Sequence, residues 1–84
     1  MKRITSIDEA IKYFANGTKE TSETISGNKF TYIVPPNGFI KLEVTFATGL
    51  TFVYPNSYYA DYLGILKNKR YSKHEVKSIC LYYD

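Results

Sequence analysis

The sequence predicts an α+β domain: an N-terminal helix, a four-stranded antiparallel meander, a second helix and a C-terminal strand, in the order α-β-β-β-β-α-β. Three observations predict it. Apolar and polar residues alternate at every step through Ile40-Lys41-Leu42-Glu43-Val44-Thr45-Phe46, the period of a half-buried strand. Glycines close three corners between such runs, at Gly27, Gly38 and Gly49. A capping box, Ser6-Ile7-Asp8-Glu9, opens a segment of helical period.

The first helix places Ile7, Ala10, Ile11 and Phe14 on one face. Gly17 is expected to end it in a left-handed conformation. Residues 18–22 are polar and read as a connector.

The meander follows, over residues 23–54. Gly27-Asn28 reads as a two-residue turn that pairs Ile25 with Phe30. If Pro36-Asn37-Gly38 is a three-residue loop, Val34 lies opposite Ile40, Tyr32 opposite Leu42 and Phe30 opposite Val44. The loop Ala47-Thr48-Gly49 places Phe46 opposite Leu50, Val44 opposite Phe52 and Leu42 opposite Tyr54. Ile25, Phe30, Tyr32, Val34, Ile40, Leu42, Val44, Phe46, Leu50, Phe52 and Tyr54 then share the core face. Thr24, Lys29, Thr31, Lys41, Glu43, Thr45 and Thr51 share the wet one, with Ile33 and Val53 as apolar exceptions.

Pro55-Asn56-Ser57 breaks the last strand and offers a cap for a second helix over residues 58–69, with Tyr59, Leu63 and Leu66 inward. Gly64 in its middle costs about 1 kcal/mol relative to Ala. Residues 76–83 fit two periods. Val76, Ile79, Cys80 and Tyr83 would share a helical face behind the capping box Ser72–Glu75. Ile79, Leu81 and Tyr83 alternate as in a strand, which the β-branched and aromatic content favours. Such a strand is expected to pair parallel to Leu50–Tyr54 or antiparallel to Thr24–Ser26.

Eighty-four residues with 44% hydrophobic and 23% charged content make a single domain, residues 1–84. The net charge of +3 is mild, and the lone Cys80 suits a reducing, cytoplasmic setting. No run approaches a membrane span, so no membrane partner is expected.

Reactive groups are scarce. His74 and Cys80 are the only residues of their types, and on a strand they would stand roughly 20 Å apart. One His and one Cys supply too few ligands for a zinc site, and no glycine-rich phosphate loop occurs. Asp8-Glu9 suits the first turn of a helix better than acid–base work. The sequence therefore predicts no enzyme, no catalytic residues, no metal and no cofactor.

What remains is surface. Tyr58, Tyr59, Tyr62, Lys69, Arg70, Tyr71 and Lys73 combine residue types that carry binding energy in protein interfaces. The expected function is a small protein-binding module acting as an inhibitor or adaptor. Its size and its Lys/Asn/Ile/Tyr-rich composition suit a phage or mobile element. Tyrosines among basic residues also suit single-stranded nucleic acid, the alternative partner. Against both stands an ordinary surface, with Tyr59 and Tyr62 as the inner face of the second helix.

Overall fold

A computed structural model of the chain describes residues 1–57, 61–67 and 76–84. Its elements are β1 (Lys2–Ile4), α1 (Ile7–Ala15), β2 (Thr18–Glu23), β3 (Lys29–Val34), β4 (Phe39–Phe46), β5 (Thr51–Pro55), α2 (Tyr62–Lys67) and β6 (Val76–Tyr83). The α+β class holds, but the four middle strands do not form one sheet. β1, β6, β4 and β5 make a four-stranded antiparallel sheet in that order, and β2 and β3 make a separate ribbon.

The corner Ala47–Gly49 behaves as its spacing requires. Phe46 N–H donates to the Leu50 carbonyl at 2.9 Å, Gly49 N–H donates to the Phe46 carbonyl at 2.9 Å, and Val44 lies opposite Phe52. The first corner follows the same pattern one residue longer than expected. Thr24 N–H donates to the Asn28 carbonyl and Gly27 N–H to the Thr24 carbonyl, so the loop is Ile25-Ser26-Gly27. Ser22 therefore faces Phe30, and Ile25 sits on the tip with its side chain fully in solvent. Residues 18–22, expected as a connector, are the strand that β3 pairs with.

The expected corner at Pro36–Gly38 does not join β3 to β4. A three-residue hairpin begins with a hydrogen bond from the N–H just before its loop, and here that residue is Pro35, which has none. Phe39 N–H instead closes a turn onto the Pro36 carbonyl at 3.2 Å. β6 takes the place beside β4, so residues 76–83 form a strand, flanked by β4 and the short β1. A register shift between Phe39 and Lys41 turns Phe39 inward and leaves Ile40 facing solvent, the reverse of its expected side.

α1 starts as the capping box demands, with Ser6 Oγ accepting from Glu9 N–H at 3.3 Å. Gly17 does not end it through a left-handed conformation, since its φ is not positive. A Cβ there would collide with the Val34 carbonyl and lie 2.7 Å from Ile33 Cγ2. Gly17 is needed because the end of β3 passes directly over it.

α2 starts at Asp61, whose carboxylate accepts Gly64 N–H at 2.8 Å. A Cβ on Gly64 would strike that carboxylate, which accounts for glycine inside a helix. The rest of the expected second helix lies outside the described residues.

Both helices cover the inner face of the sheet. Ala10 and Phe14 of α1 and Tyr62 of α2 meet Phe39, Leu42, Val44 and Phe46 of β4 and Ile79 and Leu81 of β6 in one core. The outer face carries Lys41 and Glu43, paired at 3.3 Å, and the Thr45–Thr51 hydroxyl contact at 3.0 Å. Among the described residues no helix is long and apolar enough to cross a membrane.

Candidate partner-binding groove

The separation of the β2–β3 ribbon from the main sheet opens a cleft of about 350 Å³. One wall is Phe30-Thr31-Tyr32-Ile33 of β3; the other is Asp61-Tyr62-Leu63 at the start of α2. Phe14 and Lys19 complete the lining. Consecutive strand residues point to opposite faces, so a space touched by four in a row runs along the strand's edge.

The chemistry of that edge follows from the hairpin. Thr24 and Asn28 form a hydrogen-bonded pair, and such pairs alternate along an antiparallel ladder. Phe30 and Tyr32 accordingly direct their backbone N–H and C=O groups at β2. Thr31 and Ile33 direct theirs away from it, along the cleft. β2 is the strand that pairs with β3 among the described residues.

The walls are aromatic and apolar with a few polar groups. Phe30 and Tyr32 lie 5.8 Å apart at a 36° tilt, and Tyr32 Oη donates to Glu20 Oε2 at 3.3 Å. The Asp61 carboxylate is held by the Gly64 N–H. Tyr62 Oη donates to the Pro55 carbonyl and accepts Ser57 N–H at 2.9 Å, which fixes the start of α2 against the end of β5. Burial raises the Tyr62 phenol above its usual range, and the bond from Ser57 opposes that in part. Such a space takes up apolar side chains, and its edge offers a donor and acceptor ladder to a backbone.

Of the residues expected to bind a partner, Tyr62 alone falls among the described residues. Tyr62 is 3% exposed and belongs to the core, so it cannot serve as an exposed contact. Tyr58, Tyr59, Lys69, Arg70, Tyr71 and Lys73 lie outside the described residues, as does His74. The half-buried Cys80 sits on β6, opposite Glu43 of β4. No group of three or more His, Cys, Asp or Glu residues among the described residues is placed to share a metal ion.

The groove itself was missed in the sequence because it exists only once β3 leaves the main sheet. Pro35 was the available signal. Comparison with protein-family models, with curated proteins and with solved structures finds no match.

Proposed function

We propose that the chain is a small non-catalytic protein-binding module, an inhibitor or adaptor that captures an extended segment of another protein between β3 and α2. The observation that supports this reading is the pairing of an outward backbone ladder, Thr31 and Ile33, with an aromatic cleft alongside it. Strand addition draws affinity from the first and side-chain selectivity from the second. A cytoplasmic setting suits the single thiol, and a phage or mobile-element origin suits the chain's size and composition.

The test is selection from a displayed library of random peptides, followed by Thr31→Pro. Proline at 31 removes one outward donor and leaves every backbone bond to β2 in place, at the loss of the 3.5 Å hydroxyl contact between Thr21 and Thr31. Apolar peptides whose affinity falls about tenfold or more on that change are the expected result. Peptides that bind Thr31→Pro as well as the parent protein would refute strand addition. Binding that instead needs nucleic acid and weakens steeply with salt would move the reading to the nucleic-acid alternative.

A further inference from the structure

We infer that two copies of the chain associate through the outer edge of β5, which has no strand beside it among the described residues, antiparallel, about a two-fold axis at Phe52. This inference stands apart from the groove, which lies on a different strand.

The hydrogen-bonding pattern of the edge selects the partner. Phe46 and Leu50 form a hydrogen-bonded pair, so by alternation Phe52 and Tyr54 also turn their backbone groups toward β4. Thr51 and Val53 turn theirs outward. The next outward positions are closed at both ends. Gly49 uses its N–H within its own turn, and Pro55 has no N–H while its carbonyl accepts Tyr62 Oη. The edge thus presents two donors and two acceptors, and a second copy of the same edge matches them.

Only one antiparallel register engages all four donors of the two copies. Thr51 then lies opposite Val53 of the second copy, Val53 opposite its Thr51, and Phe52 opposite Phe52. Centring the pair on Val53 would set Thr51 against the donorless Pro55. Centring it on Thr51 would set Val53 against the committed Gly49. Offsets by a single residue would set outward groups against inward ones.

Side chains agree with this register. Leu50 and Phe52 are 55% and 47% exposed on the inner-face side. In the dimer Leu50 meets Tyr54 of the second copy and the two Phe52 rings meet at the axis, which gives one apolar row.

Charge agrees as well. Strand edges ordinarily carry charged residues that prevent such pairing. β1 has Lys2 and Arg3, and β2 has Lys19, Glu20 and Glu23, whereas residues 44–60 contain no charged side chain. Nothing on β5 repels its own copy. The outcome is a continuous eight-stranded sheet.

Light scattering from about 10 µM to about 1 mM tests the association, with Val53→Pro as the variant. The substitution deletes two intermolecular donors per dimer and no bond to β4. The expected result is twice the 9.7 kDa chain mass for the parent protein and a dissociation constant raised about tenfold or more in the variant. Should Val53→Pro fail to fold, Val53→Lys keeps the backbone and adds an edge charge, with the same expectation.

Register is read separately in a Cys80→Ser background, by oxidising single cysteines placed in turn at positions 50 to 54. Cross-linking should be fastest for Phe52→Cys, the position that meets itself across the axis. A parent protein that stays monomeric throughout overturns the inference, as does a dimer indifferent to both position-53 variants. A cross-linking maximum at another position overturns the register.

Discussion

The rings of Phe14 and Tyr62 lie parallel to within 7°, with centroids 4.8 Å apart. Phe39 meets both edge-on, at 5.2 and 5.0 Å. This three-ring cluster joins α1, α2 and β4, and it is where the short α2 gains its tertiary support. A six-residue helix has too few internal bonds to persist alone. Tyr62 adds polar ties at its far end, to Pro55 and Ser57.

Removing those ties should cost stability without emptying the core. Tyr62→Phe keeps the stacked ring and removes the hydroxyl's bonds with the Pro55 carbonyl and the Ser57 N–H, a loss of about 1–3 kcal/mol. Tyr62→Ala removes the ring as well and should cost about 3–5 kcal/mol. Urea denaturation of the two variants gives the comparison. A Tyr62→Phe variant as stable as the parent would mean that the hydroxyl does not hold α2 to β5.

Tyr13 makes the opposite case. Its hydroxyl is buried and has no hydrogen-bond partner among the described residues, while its ring packs 5.2 Å from Tyr83 and 5.7 Å from Phe14. Tyr13→Phe therefore deletes a desolvated polar atom and keeps the packing. A gain of up to about 1 kcal/mol is expected, or a Tm rise of about 4–8 °C per kcal/mol in a domain of this size. A clear loss of stability would show that the hydroxyl is satisfied in solution.

What was legible in the sequence divides along physical lines. Leu42 and Val44 alternate with Lys41 and Glu43 because β4 is central and has one dry face, so the period of two is strong and its side assignment correct. β2 gave no such signal, because both faces of a two-stranded ribbon meet water and Thr18–Glu23 is nearly all exposed. The three-residue hairpin rule worked at Ala47–Gly49. Applied with its donor requirement, it would also have found Ile25–Gly27, where Thr24 can donate, and rejected Pro36–Gly38, where Pro35 cannot. The groove depended on that rejection. Tyr62 was ambiguous for another reason: three tyrosines within five residues leave the inward face of a short helix undetermined until its first turn is placed by Asp61.

Gly17 and Gly27 separate two reasons for glycine, and their alanine variants should separate too. At Gly17 the conformation is ordinary, but a Cβ meets the Val34 carbonyl, which is backbone and can yield only by moving β3. At Gly27 the space is open and the obstacle is φ of +87°. Gly17→Ala is expected to cost about 1–3 kcal/mol or more and to loosen the groove wall. Gly27→Ala should cost about 1 kcal/mol and leave peptide binding unchanged. Thermal melts give the first comparison and peptide affinity the second. The reverse order of stabilities would mean that α1 does end in a left-handed residue.

Alkaline pH should destabilise the fold through these same phenols. Burial raises Tyr13 above its ordinary value of 10.0, with Tyr83 adding to the shift, and burial raises Tyr62 likewise. Tyr82 moves the same way, chiefly through hydrogen bonding with Cys80, at the sheet surface where solvent screens it. A phenol held above its unfolded value keeps its proton in the native state while the unfolded chain has already lost its own. Between the two values the unfolded chain binds fewer protons, and stability falls as pH rises. The contribution is thus complete below about pH 10 and declines above it, until the native phenols ionise too. Urea midpoints measured from pH 8 to pH 11, alongside phenolate absorbance, should show a plateau and then a fall. Tyr13→Phe should make that fall shallower, since one of the shifted protons is gone. A midpoint that holds steady through pH 11 would place both hydroxyls in water.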